Sequence, residues 1–242
     1  FKGDIVFKDV WFAYNEPTYV LKGINFSLSP GETVAFVGAT GAGKSSIINL
    51  LSRFYEYQKG EIIVDGDELR DIDIDLIREN VAVVLQDVFL YSDTVLNNIT
   101  LGDHSISKEK VIEASKQVGA HEFIMSLPEE YDFVVGERGG MLSVGQRQLI
   151  SFIRAYVYNP SILILDEATS SIDTESEELI QLAIEKLTEG RTSIIIAHRL
   201  STISKADKII VMNQGEIIES GSHQELLSLD GAYKKLYDIQ YK

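Results

Sequence analysis

The sequence contains no cysteine, which excludes disulfides and thiolate metal sites and suits a reducing compartment. No apolar run approaches the ~20 residues needed to cross a bilayer. No signal-peptide pattern opens the chain. The first residue is Phe1 and not Met, so the sequence reads as an excised piece, with any membrane domain outside it. Positive charge is in short supply: 22 Lys and Arg against 37 Asp and Glu leave a net charge of −15. A surface this acidic repels nucleic-acid phosphates and anionic headgroups, so neither nucleic acid nor direct membrane insertion is expected of this segment. Repeats and low-complexity tracts are also missing. What remains is an ordinary globular composition over 242 residues, 45% hydrophobic and 24% charged. That length suits one large α/β domain or a core with an inserted lobe.

Short strands separated by turn signals open the chain, at Asp4–Tyr14, Leu21–Leu28 and Thr33–Val37. A Gly-rich turn follows, then a helix over Lys44–Arg53 and further strands at Glu61–Val64 and Val81–Leu85. From about residue 87 to 159 helical periodicity dominates, with helices expected over Thr94–Ile99, Lys108–Val118, His121–Ser126 and Ser143–Tyr158. This stretch reads as an inserted helical lobe, and residues 1–86 and 160–242 as an α/β core. In the returning core, strands are expected at Ser161–Leu165 and Thr192–Ala197, with a helix over Thr174–Leu187 between them. A strand pair follows at Lys208–Met212 and Glu216–Glu219, then a single helical stretch from Ser222 to Ile239. Strand–helix alternation implies a mainly parallel sheet flanked by helices.

Two motifs carry chemistry by themselves. Gly38-Ala39-Thr40-Gly41-Ala42-Gly43-Lys44-Ser45 fits a phosphate-binding loop between a strand and a helix. Glycines let successive backbone N–H groups face one point, and the following helix adds the positive end of its dipole. Lys44 can reach the β- and γ-phosphates of a nucleotide, and the Ser45 hydroxyl can ligate Mg²⁺. The second motif, Ile162-Leu163-Ile164-Leu165-Asp166-Glu167, is an apolar strand ending in two carboxylates. Carboxyl ends of buried strands are where α/β sheets bind ligands. Asp166 there is a candidate Mg²⁺ ligand and Glu167 a candidate base for an attacking water.

Leu142-Ser143-Val144-Gly145-Gln146 lies between these motifs. With the phosphate loop and Leu165-Asp166-Glu167, it resembles the signature motif of ABC ATPases. The order phosphate loop, Gln86, signature, Asp166-Glu167, Ser170-Ser171-Ile172-Asp173, His198 covers nearly the whole chain. The resemblance implies a P-loop NTPase core with an antiparallel β subdomain and an inserted α-helical subdomain. It also implies ATP and Mg²⁺ as cofactors and catalytic roles for Glu167, His198 and Gln86. Nucleotide would be bound by Tyr14 as the adenine-stacking aromatic, by Gly38, Thr40, Gly41, Ala42, Gly43, Lys44, Ser45 and Ser46, and by Gln86. The metal would be held by Ser45, Gln86 and Asp166. Ser143, Gly145 and Gln146 would bind the nucleotide of a second ATPase domain, so that one chain supplies half of two sites. The S-x-x-Q spacing of Ser143 and Gln146 makes physical sense of that role, since a capping box leaves a hydroxyl and free N–H groups at a helix start. Asp173 matches the loop that contacts the opposite domain. His104, His121 and His223 have no such context and read as surface or packing residues.

Gly136-Glu137-Arg138-Gly139 and the stretch Gln86-Asp87-Val88-Phe89-Leu90-Tyr91 resemble loops of ABC exporters. The implied protein is an exporter's ATPase on the cytoplasmic side of the cell membrane, with a transmembrane domain fused N-terminally. A soluble ABC ATPase that moves no solute, or a nucleotide-binding regulatory module with little turnover, are the alternatives. One position departs from the family: Val144 stands where a glycine is usual. A β-branched side chain adds bulk where backbone and phosphate approach closely. The expectation drawn from it is a pairing with a different chain, against a neutral variation in a homodimer.

Overall fold

The structure is a computed structural model that describes residues 1–167 and 172–240. In chain order its elements are β1 (Ile5–Phe12), β2 (Leu21–Leu28), β3 (Thr33–Val37), α1 (Lys44–Leu51), β4 (Lys59–Val64), β5 (Asp67–Glu68), α2 (Ile74–Asn80) and β6 (Val81–Val84). Next come α3 (Val95–Thr100), α4 (Lys108–Val118), α5 (His121–Met125), α6 (Val144–Val157), β7 (Ile162–Asp166) and α7 (Thr174–Thr188). The chain continues through β8 (Thr192–Ile196), α8 (Leu200–Lys205), β9 (Lys208–Asn213), β10 (Glu216–Gly221), α9 (His223–Ser228) and α10 (Ala232–Gln240). These divide into two compact units. One comprises Phe1–Val83, Ser161–Glu167 and the described part of Gly190–Lys242; the other Val84–Pro160 and the described part of Ala168–Glu189.

The first unit holds two sheets. One is antiparallel where its pairings are resolved, ordered β2-β1-β4-β5. β1 buries Ile5, Phe7, Val10 and Phe12, and the alternation slips at Lys8-Asp9, where the register shifts and Asp9 takes a positive φ. The other sheet is ordered β10-β9-β3-β8-β7-β6. β3 pairs in parallel with β8 and β9, and β7 in parallel with β8, while β9 and β10 run antiparallel. The buried residues of its inner strands are apolar except for Thr192 and Ser193 of β8, as expected of parallel strands covered on both faces. Residues 34–37, 162–165 and 192–196 are all buried. One hydrophobic cluster draws Phe7, Phe12 and Leu21 from the first sheet, Phe36, Ile164 and Ile196 from the second, and Ile47, Leu50 and Leu51 from α1.

The second unit is helical. α6 buries Leu149, Ile150, Phe152 and Ile153 and packs against α3, α4 and α7. The sequence reading put α7 in the α/β core, between β7 and β8. The structure groups it with α4 and α6 instead, because Ile180, Ala183, Ile184 and Leu187 form one buried stripe at helical spacing. The helical unit also begins at Val84, slightly before the expected residue 87.

Candidate active site

Sheet register assembles the site. Phe36 of β3 lies level with Ile196 of β8, and Ile196 lies level with Asp166 of β7. Three parallel strands therefore end together, and the residues that leave them emerge at one edge: Gly38 after β3, Glu167 after β7 and His198 after β8. The ladder continues past the strand ends, since Ala197 N donates to Phe36 O at 3.1 Å and Glu167 N to Ile196 O at 3.0 Å.

The phosphate loop begins with a steric requirement. A Cβ on Gly38 would lie 2.3 Å from the Met212 carbonyl oxygen of β9, so only glycine lets the loop leave the sheet here. Gly215 N donates to Ala42 O at 2.9 Å, which ties the loop to the β9–β10 turn. The loop is rich in glycine backbone, and the lysine and serine donors beside it suit a phosphate. The Lys44 ammonium turns back over the loop and donates to Gly38 O at 2.5 Å and Ala39 O at 3.0 Å. Burial holds Lys44 below its ordinary pKa, and the Asp166 carboxylate acts in the opposite sense. Ser45 is exposed next to it, and Ser46 is buried.

Tyr14 reaches α1 from the end of the first sheet. Its hydroxyl accepts from Asn49 Nδ2 at 2.7 Å and lies 3.1 Å from Ser46 Oγ. The ring meets Phe12 and Tyr55 edge-on and is 41% exposed, so it is anchored at the hydroxyl while much of the side chain stays open to solvent.

Glu167 is only 2% exposed. Its Oε2 accepts from the backbone N–H of His198 at 2.6 Å and of Arg199 at 3.0 Å, and its Oε1 accepts from the Thr202 hydroxyl at 2.6 Å. The Arg199 guanidinium lies 4.0 Å from Oε1. His198 is held below the ordinary imidazole range, first by burial and then by the Lys44 charge, with Glu167 opposing. It is therefore neutral near pH 7, with one ring nitrogen a donor and the other an acceptor.

Gln86, Ser143, Gly145 and Gln146 belong to the second unit. Gln86 is half-buried two residues beyond β6. Ser143 caps α6 in the expected reciprocal box: Gln146 N donates to Ser143 Oγ at 3.1 Å and Ser143 N to Gln146 Oε1 at 3.0 Å. Gly145 is buried because α7 approaches there; a Cβ would lie 2.7 Å from Ser176 Cβ and 3.2 Å from Ile172 Cγ2. Val144 faces outward, 37% exposed. Asp173 caps α7 by accepting from Ser176 N, while Ser170 and Ser171 lie outside the described residues. Two of the set-aside histidines have packing partners: His121 Nδ1 lies 2.8 Å from Tyr131 Oη, and His223 Nδ1 lies 2.7 Å from Tyr233 Oη.

Sequence reasoning missed Thr202, Arg199 and Asn49. Nothing in their local spacing marks them; each is defined by the partner that the fold brings to it.

Known proteins resemble the chain over nearly its whole length. A profile described as ABC transporter matches residues 21–170. The ATP-dependent lipid A-core flippase of Saccharophagus degradans is 49% identical over 240 residues, which is 99% of this chain and 41% of the flippase. A putative multidrug export ATP-binding/permease protein of Staphylococcus aureus is 50% identical over 240 residues, 99% of this chain and 42% of its own length. The solved structure of a bacterial Atm1-family ABC exporter with ATP bound superposes with a TM-score of 0.92 at 40% identity, over 100% of this chain and 42% of the exporter chain. The chain thus spans about two fifths of the length of these relatives.

Proposed function

Since this chain belongs to the ABC transporter family, we propose that it is the ATP-hydrolysing domain of an exporter, working in ATP-driven closure with a second such domain. The observation that carries the reading is the shared end of β3, β7 and β8, from which the phosphate loop, Asp166-Glu167 and His198 emerge together.

On this reading the nucleotide base stacks on Tyr14, whose ring is fixed through its hydroxyl. The phosphates lie on the N–H groups of residues 38–45. Lys44 exchanges the loop carbonyls for phosphate oxygens, which an ammonium with three rotatable donors does readily. Ser45, Asp166 and Gln86 are the residues that would hold Mg²⁺, which would supply neutralising charge to the phosphates. A hydroxyl and a carboxylate suit that ion, which prefers few protein ligands and keeps waters. Glu167 takes a proton from the attacking water, and neutral His198 helps position that water and the γ-phosphate.

Ser143, Gly145 and Gln146 present the start of α6 to the γ-phosphate held by the other domain. Two domains are then bridged by nucleotide and separate when that phosphate is lost, and a transmembrane domain elsewhere in the protein converts the movement into transport. Among the described residues no helix is long and apolar enough to cross a membrane, and we assign the chain to the cytoplasmic side of the cell membrane. The outward side chain of Val144 favours a different chain as the partner, because its bulk meets whatever closes on α6.

The test is Glu167→Gln in the full protein that carries this chain. ATP binding should persist while the hydrolysis rate falls about 100-fold or more, the scale of general-base catalysis. Wild-type turnover would remove Glu167 from the mechanism.

A further inference from the structure

We propose that Thr202 is a positioning residue for ATP hydrolysis: its hydroxyl sets the orientation of the Glu167 carboxylate that takes the proton from water. This rests on the reading of Glu167 as the base.

A glutamate side chain has three rotatable bonds, and a base is effective only while its lone pair stays aimed at the proton it removes. Glu167 leaves the end of β7, and both of its oxygens are tied to the segment that follows β8. Oε2 is held by two consecutive backbone N–H groups, His198 at 2.6 Å and Arg199 at 3.0 Å. Those two bonds fix one oxygen and leave the carboxylate free to rotate about it. The Thr202 hydroxyl on Oε1 at 2.6 Å closes that freedom. Arg199 Nη1, at 4.0 Å from Oε1, is too distant to do so by a hydrogen bond.

Thr202 is 4% exposed and sits in α8, so its own side chain is confined. Each carboxylate oxygen accepts through two lone-pair directions. Oε1 can therefore keep the Thr202 bond and still accept from a second donor such as the attacking water. The arrangement also joins the base to His198: the N–H that holds Oε2 belongs to the residue whose ring helps position the water. Movement of one is transmitted to the other.

The experiment compares steady-state ATP hydrolysis of wild type, Thr202→Val, Thr202→Ser, Glu167→Gln and the Glu167→Gln/Thr202→Val pair, in the full protein that carries this chain. Valine keeps the shape and removes the hydroxyl. We expect Thr202→Val to lower kcat roughly tenfold with KM for ATP unchanged, and Thr202→Ser to restore kcat to within about twofold. In the Glu167→Gln background the valine should cost no more than about twofold, because the group through which Thr202 acts is already gone.

With Glu167→Gln slow, three results each overturn the positioning role alone: wild-type kcat in Thr202→Val, a serine variant as slow as the valine one, or a full tenfold further loss in the pair. A fast Glu167→Gln overturns the assignment of the base, and this proposal with it. Should Thr202→Val fail to fold, Thr202→Ala, which also removes the hydroxyl, carries the same comparison alone and paired with Glu167→Gln, with the same expected and overturning results.

Discussion

In the α/β unit the side chains proposed to function are held by polar partners: Lys44 by the carbonyls of Gly38 and Ala39, Glu167 by His198, Arg199 and Thr202, and Tyr14 by Asn49. In the helical unit the start of α6 is shaped largely by packing. Ser143 and Gln146 close on one another, Gly145 has no side chain because Ser176 leaves no room, and Val144 projects outward. A site built from polar partners can lose one functional group and keep its fold. A site shaped by steric contact ties function to fold at the positions that make the contact, and leaves the outward ones free to vary with the partner.

The largest expected effect tests the first half of that contrast. Lys44→Ala should weaken ATP binding about 100-fold, equivalent to about 2.8 kcal/mol at the 1.4 kcal/mol per tenfold of any binding equilibrium. The nucleotide-free melting temperature should move little, because the buried ammonium's two bonds to loop carbonyls are offset by the desolvation that also lowers its pKa. Titration with ATP by calorimetry, beside a thermal melt, reads both. A large drop in the melt without nucleotide would mean that the lysine also holds the loop together, and the contrast between the units would fail on this side.

Gly145→Ala tests the other half. The added methyl would lie 2.7 Å from Ser176 Cβ, so α6 or α7 must shift. Overpacking of this kind costs roughly 1–3 kcal/mol. Stability and ATP-dependent closure should fall together, measured as the melting temperature and as ATP-dependent dimerisation in the slow-hydrolysing background. Loss of closure with an unchanged melt would show that the glycine serves the partner's phosphate and not the packing of its own helices.

How much of this was legible beforehand varied with the kind of interaction. Motifs that work through backbone and spacing were visible: the phosphate loop, the acidic end of β7, the capping box on α6. So were the largely apolar strands β3, β7 and β8. Three features were not. α2 is seven residues with Ile77 as its only buried side chain, and its run of alternating Asp and Ile carries no helical period; its start is fixed by Asp73 accepting from Asp75 N. The helical end expected as one piece, Ser222–Ile239, is two helices. Asp230 between them takes a positive φ, and Glu219, from β10, accepts the N–H groups of Ala232 and Tyr233 that open α10. Thr202 was invisible for the same reason, since its partner lies 35 residues away in sequence and is brought near only by strand pairing. Side chains that act through a distant partner leave no periodicity to read.

A smaller cost to the fold than that of Gly145→Ala, and the result most informative about the partner, is expected of Val144→Gly. Val144 is the first residue of α6 and is exposed, so its own chain gains little from the side chain. Glycine there should lower stability by roughly 0.5–1 kcal/mol through the freedom it restores to the unfolded chain. Its effect on closure should run the other way. In a Glu167→Gln background, which keeps ATP bound, the chain with Val144 should remain monomeric by size-exclusion with light scattering at a concentration where the Val144→Gly form dimerises with ATP. That outcome means that a β-branched side chain obstructs closure on an identical surface, and it directs the search to a second chain whose loop accommodates it. Ready dimerisation with Val144 in place would show that α6 tolerates its own copy. The outward position would then be neutral, and the protein would work as a homodimer.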